Sequence, residues 1–186
     1  MSKGASEVAI PTEHRRIMQV CWVVPDIDAA MANWIKTMGI GPFFEFRDLT
    51  IDTVKHRGTP TTTTFHIAVA QAGGVQIELA QQVSDAPYAY NEVFPKGSEG
   101  GLHHVAIYVA DYDLAMKYLT DQGFEPSVEG VFGTMRFAYV DTRSALGCMV
   151  EIIEHNEAQD EIFARIEAGA EGWDGVTDPI RPGLPA

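Results

Sequence analysis

Four polar residues stand in strand-like apolar surroundings in this 186-residue chain: Gln19, Glu78 in Ile77-Glu78-Leu79, His104 in Leu102-His103-His104-Val105, and Glu151 in Val150-Glu151-Ile152. A carboxylate in a buried strand is costly unless it is paired or ligated, so both glutamates need an explanation. One imidazole, one amide oxygen and two carboxylates make a donor set for a divalent metal with positions left open for water or substrate. His66 is a fifth candidate. An ordinary histidine pKa of about 6.5 suits proton transfer near neutrality. Its surroundings leave two readings, a pocket acid/base and a hydrogen-bonded strand residue.

The four residues are tied together by an internal repeat. Val24-Pro25-Asp26-Ile27-Asp28-Ala29-Ala30-Met31 recurs 85 positions later as Val109-Ala110-Asp111-Tyr112-Asp113-Leu114-Ala115-Met116. The same offset of 85 places Gln19 opposite His104, and Glu78 and Glu151 hold matching places on the last strand of each copy. In each copy the first aspartate stands where a helix N-cap belongs, after an apolar strand-like run. The spacing predicts helices over Ile27–Met38 and Tyr112–Gln122, stopped by Gly39 and Gly123. Strands are expected over Phe43–Leu49, Thr61–Ala70 and Val75–Gln81 in the first copy. In the second they are expected over Pro126–Val131, Met135–Val140 and Cys148–Glu154.

The fold class expected is therefore α+β: two paired βαβββ modules forming a curved mixed sheet around a central metal pocket. Residues 14–82 make the first module, 83–101 a linker with one short helix near Tyr88–Phe94, and 102–155 the second module. Residues 156–186 supply a further helix, about Glu157–Glu167, and an irregular tail.

Strand alternation then assigns faces. Val75, Ile77 and Leu79 are expected against the helices, sending Glu78 to the pocket. His104 shares its face with Tyr108, and His103 points away as a structural residue. Phe65, Ile67 and Val69 read as the helix-facing set of their strand, which puts His66 on the face of Glu78, inside the pocket but outside the metal's ligand shell. Cys21, Tyr108, Phe137 and Tyr139 complete the expected substrate pocket, and Cys148 is a packing residue.

Composition closes off other classes. The chain has 13 Lys+Arg against 26 Asp+Glu, a net charge of −13, which opposes nucleic-acid binding and anionic membranes. His14-Arg15-Arg16 and Lys55-His56-Arg57 could hold a small anion or be solvated surface. Apolar runs such as Val20–Val24 and Val105–Val109 are far short of the roughly 20 residues of a membrane span. Met1–Pro11 has no apolar signal-peptide core, and two cysteines exclude a disulfide scaffold, so a cytoplasmic protein is expected.

The segments Gln19–Asp28, Ile77-Glu78-Leu79, Gly101-Leu102-His103-His104-Val105 and Val150-Glu151-Ile152 resemble the vicinal oxygen chelate superfamily of glyoxalases, bleomycin-resistance proteins and extradiol dioxygenases. The Gly-Leu-His-His run and the Pro-Asp-Ile-Asp segment look most like methylmalonyl-CoA epimerase and its relatives. Gln19 stands where epimerases carry a histidine and some glyoxalase I enzymes carry glutamine. The resemblance implies a metal held by Gln19, Glu78, His104 and Glu151, the second histidine of the pair being the ligand. It further implies an isomerase or lyase that moves a proton next to a metal-bound carbonyl through an enediolate, with Glu151 or Glu78 as base and His66 as a second proton carrier. Cobalt, manganese, nickel or zinc fits this better than iron. A small carbonyl or thioester substrate and a homodimer are expected. The rivals are an extradiol-type dioxygenase, which needs a second histidine, and a non-catalytic binding protein.

Overall fold

Asp26 and Asp111 cap helices in the way their positions predict: the Asp26 carboxylate accepts from Ala29 N at 3.0 Å and that of Asp111 from Leu114 N at 2.9 Å. The computed structural model describes Thr12 and residues 16–183. His14, Arg15, the start of the first module and the last three residues lie outside the described residues.

In chain order the elements are β1 (Gln19–Val23), α1 (Ile27–Met38), β2 (Phe43–His56), β3 (Thr59–Ala72) and β4 (Val75–Gln82). The short α2 (Ala89–Val93) leads to β5 (Gly101–Val109), α3 (Tyr112–Thr120), β6 (Pro126–Phe132) and β7 (Met135–Val140). One turn, α4 (Arg143–Leu146), precedes β8 (Met149–Glu154), α5 (Glu157–Ala170) and β9 (Ile180–Pro182). Helix α1 stops at Gly39, whose φ of +66° is the left-handed conformation that glycine adopts without a Cβ penalty.

The fold is α+β, built on one sheet in the order β3-β4-β1-β5-β8-β7-β6-β2-β9. An additional β3–β2 pairing closes it, so the sheet is a ring rather than an open curve. Closure depends on β2 and β3 being 14 residues each, longer than their apolar stretches suggest. Beyond Leu49, Ile51 and Val54 remain buried while Asp52, Thr53 and Lys55 face solvent, the strand running on through a register irregularity between Ile51 and Val54. The threonines after the Arg57-Gly58 turn supply β-branched partners, and Val54–His56 pair with Val128–Gly130 of β6.

Over its central strands both faces of this ring are buried. Ile27 and Met31 of α1 pack on Ala68, Ala70 and Leu79, and α3 packs on Ile107, Val109, Val150 and Ile152. The inside holds Phe65, Ile67, Val69, Phe137, Tyr139 and Met149. Small alanines meet the helix while the large side chains of β3 turn inward. The tail is also more ordered than expected. β9 adds to β2 in parallel, Phe43 facing Ile180, and helix α5 lies across the open mouth of the ring.

Candidate active site

The four central strands β4-β1-β5-β8 bring the polar residues to one place through their register. Cys21 of β1 is paired with Glu78 on one side and with His104 on the other. Ala106 pairs with Glu151, and Glu151 in turn with Tyr139. Because alternate residues share a face, Gln19, Cys21, Glu78, His104 and Glu151 all point inward. Gln19, Glu78 and Glu151 form the polar wall of a chamber of about 130 Å³, with Cys21 and His104 behind it.

His104 is fully buried, and its environment fixes where its proton sits. His103 Nε2 lies 3.0 Å from the carbonyl oxygen of Ala89, which can only accept, so that nitrogen carries a hydrogen. Burial, reinforced by the neighbouring His104, pushes the His103 pKa down to about 3, so the ring is neutral and its Nδ1 is an acceptor. That Nδ1 is 2.9 Å from His104 Nδ1, which must therefore donate. With Nδ1 donating to His103, Nε2 is the ring nitrogen that His104 turns to the chamber. It faces Glu151 Oε2 at 3.1 Å, yet neither atom completes a hydrogen bond, and both are buried. Two lone pairs in this relation repel unless a cation or proton lies between them. A separation near 3.1 Å suits two ligands of one ion, whose bonds are about 2.0–2.3 Å long.

Glu78 completes the arrangement. One ligating atom each of Cys21, Glu78 and His104 lies within 4.8 Å of the other two. Burial raises the Glu78 carboxyl to about 7 against the opposing pull of His104, with Glu151 adding to the rise. Hydrogen bonds from Cys21 and Tyr90 steady its ionised form. The Cys21 thiol is pushed well up by burial and by the two glutamates, so it stays protonated and donates to Glu78. The Gln19 amide nitrogen donates to Gln76 Oε1 at 3.2 Å, leaving the amide oxygen as the end that bond does not use. The donor set and the unsatisfied atoms fit a divalent cation.

The expected pocket needs three corrections. His66 is on the outer face of β3, paired with Gln81, and its Nδ1 accepts from Asp48 N at 3.0 Å. The apolar set Phe65, Ile67 and Val69 lines the chamber instead, since the chamber is itself apolar. Tyr108 does not line the chamber. Its hydroxyl accepts from Asn156 N at 2.9 Å and lies 2.9 Å from Asp160 Oδ1, so it anchors the start of α5, with its ring 5.3 Å from that of Phe163. Cys21 lies behind the wall, fully buried beside Glu78, rather than on it. Gln19, Glu78, Glu151, Phe137 and Tyr139 do line the chamber, with His104 just behind.

Sequence reasoning missed three contributors. His103, expected to be remote, orients His104. Tyr88 and Tyr90 enter from the linker, and Tyr90 Oη is 3.0 Å from Tyr139 Oη. Ile162, Phe163 and Ile166 of α5 form the roof. Two tyrosines flanking an alanine in a short helix and an i, i+4 apolar pair were the available signals. Outside the ring, Arg57 and Arg143 both bind Glu92 and Asp141, and His56 faces Glu92, so Arg57 and His56 are engaged by the chain's own carboxylates.

The profile described as Glyoxalase/Bleomycin resistance protein/Dioxygenase superfamily matches residues 18–139, which contain Gln19, Glu78 and His104. The chain belongs to this superfamily. Its 2-epi-5-epi-valiolone epimerase relative from Actinomyces sp is 31% identical over 109 residues, 57% of this chain and 58% of that one. The chain thus spans little more than half the length of that curated relative. A methylmalonyl-CoA epimerase structure is similar at 19% identity and a TM-score of 0.48, covering 76% of this chain and 95% of that one. The methylmalonyl-CoA epimerase of Mycobacterium tuberculosis is similar at 15% identity and a TM-score of 0.46, covering 78% and 91%. Among the described residues of this superfamily member, no helix is long and apolar enough to cross a membrane.

Proposed function

We propose that the protein is an isomerase of the epimerase type, which removes and returns a proton at a carbon beside a carbonyl. The observation that carries this reading is the unsatisfied pair His104 Nε2 and Glu151 Oε2, buried and 3.1 Å apart. Gln19, Glu78, His104 and Glu151 would hold a divalent cation of the cobalt, manganese, nickel or zinc kind. When bound, the cation supplies a positive centre that polarises a carbonyl oxygen and lowers the cost of charge developing there.

The chain's own residues carry the proton. Epimerisation requires one group on each face of the reacting carbon. Glu78 on β4 and Glu151 on β8 flank the central pair β1–β5 from opposite sides and converge inward. A two-base exchange starts with one carboxylate ionised and the other protonated. The ionised carboxylate takes the proton, the opposite one returns its own to the other face, and the pair ends with roles exchanged. The hydrogen bonds from Cys21 and Tyr90 hold Glu78 in position, and the walls around it are mostly apolar. With His103 turned to Ala89, only one imidazole is offered to a metal here, which disfavours the two-histidine iron site of an extradiol dioxygenase.

The test is loading with Zn2+, Co2+, Ni2+ or Mn2+, followed by mass-spectrometric measurement of deuterium uptake from D2O into a panel of α-hydroxy ketones, β-keto acids and thioesters. We expect one bound ion per chain and uptake that Glu151→Gln and Glu78→Gln each reduce by at least about a hundredfold, within the range of general acid–base contributions. Wild-type uptake in Glu151→Gln would overturn the reading.

A further inference from the structure

Among the described residues three buried side-chain polar atoms lack a hydrogen bond: His104 Nε2, Glu151 Oε2 and Tyr88 Oη. A cation satisfies the first two. It does not satisfy the third, because a protonated phenol needs an acceptor. Tyr88 is fully buried and lines the same chamber. Tyr139 lies close by, with ring centroids 6.0 Å apart, but its hydroxyl is engaged with Tyr90 at 3.0 Å, and Tyr88 Oη completes no hydrogen bond of ordinary geometry. Burial and then Glu151 and Glu78 keep the phenol well above its usual pKa, against a weaker opposing pull from the nearby Tyr139 hydroxyl, hence an O–H donor.

The position of Tyr88 is set in advance. Its ring stacks on Phe65 at 5.6 Å and 29°. Its backbone N–H donates to Asn91 Oδ1 at 3.0 Å, and the Asn91 amide donates to Ala86 O at 2.8 Å. An unmade hydrogen bond on a rigid, buried group costs about 1–3 kcal/mol, so a ligand oxygen placed there gains from relieving it.

The other walls bear on what that ligand is. Phe46, Leu49, Ile51, Phe132, Ile153 and Phe163 face the same space and cannot pair with a hydroxyl, Gln159 of α5 being the one further polar side chain there. Helix α5 covers this side. Ile166 is 2% exposed, Tyr108 fixes the helix start, and Arg165 Nη1 donates to Gly183 O at 3.0 Å to tie the helix to the tail. A chamber of about 130 Å³ with a mostly apolar lining suits a compact apolar body at the cation site. A polyhydroxylated ring would strand its hydroxyls against apolar wall.

Resting on the cation-site reading above, we propose that the substrate is a compact carbonyl compound with an aromatic or aliphatic body and oxygens at one end only, and that Tyr88 Oη donates to one of those oxygens. Tyr88 is thereby a specificity-determining residue contributed by the linker between the two repeats.

Three hydroxamates test this, because they carry one oxygen-pair head group on three different bodies. The Zn2+-loaded full chain is titrated calorimetrically with benzohydroxamate, acetohydroxamate and gluconohydroxamate. Benzohydroxamate is expected to bind at least about tenfold more tightly than the other two, as burial of a phenyl ring predicts. Tyr88→Phe keeps the ring and its stacking, so zinc content and the thermal unfolding midpoint should match wild type while benzohydroxamate affinity falls about tenfold. Gluconohydroxamate binding as tightly as benzohydroxamate, or unchanged affinity in Tyr88→Phe, overturns the proposal and leaves the cation site standing. Failure of the wild-type chain to hold Zn2+ overturns both.

Discussion

His103 Nδ1 and His104 Nδ1 lie 2.9 Å apart, and the bond between them decides which nitrogen of His104 faces Glu151. The carbonyl of Ala89, on the linker helix, starts this relay by accepting from His103 Nε2. A backbone atom outside the paired strands therefore sets the ligating atom at the centre of the ring.

Replacing His103 should thus weaken metal binding without removing a ligand. In His103→Phe the ring volume is kept and the acceptor for His104 Nδ1 is lost. We expect zinc affinity to fall about 10–100-fold, the usual cost of losing a histidine's orienting partner. His104→Ala should abolish stoichiometric binding. Competition titration against a chromophoric chelator separates the two. Equal affinity of His103→Phe and wild type would show that the relay does not matter.

His66 is expected to be dispensable for chemistry. It lies on the outer face of β3, where its Nδ1 accepts from the Asp48 backbone at 3.0 Å. His66→Ala should leave deuterium uptake within about twofold of wild type and cost about 0.5–1.5 kcal/mol of stability, the worth of one hydrogen bond. A large loss of turnover with an intact unfolding midpoint would return His66 to the proton path.

The roof should fail by steric displacement as well as by loss of packing. A Cβ on Gly169 would lie 2.5 Å from Phe44 Cζ, closer than real contacts allow. Gly169→Ala must push α5 away from the ring or shift Phe44. Faster amide hydrogen exchange across 157–170, together with weaker benzohydroxamate binding, is the expected result. Ile166→Ala removes a side chain that is 2% exposed and should cost roughly 2–5 kcal/mol by chemical denaturation.

Acid stability should report on Glu92. Although partial burial opposes it, the hydrogen bonds from Arg57, Ser127 and His56 lower its carboxyl to about 2. In the unfolded chain the value is about 4.3. A carboxylate depressed in the fold stabilises it above the unfolded value, and this contribution is lost as pH falls through the folded one. Wild type should therefore lose stability between about pH 4.3 and 2. Glu92→Gln should start less stable at pH 7 and show a shallower loss across that window. Parallel curves for the two proteins would exclude Glu92 as a source of the acid dependence.

The repeat, the helix caps, the α+β class and the face of Glu78 were all legible in the residues, because each follows from local periodicity. Asp26 and Asp111 needed only the run behind them, and Glu78 only its two apolar neighbours. Even the linker helix and α5 announced themselves by composition. What local pattern could not decide was which side of a strand faces the centre once both sides are buried. Phe65, Ile67 and Val69 looked like a helix-facing set, yet α1 takes up Ala68 and Ala70 and the large side chains turn inward. His66 moved outward for that reason alone. Ring closure, the reach of α5 across the mouth and the contact of His103 with His104 are likewise properties of the assembled sheet. They join residues far apart in the chain or set adjacent side chains together at a register shift of the strand, and no periodicity of a single segment encodes such a meeting.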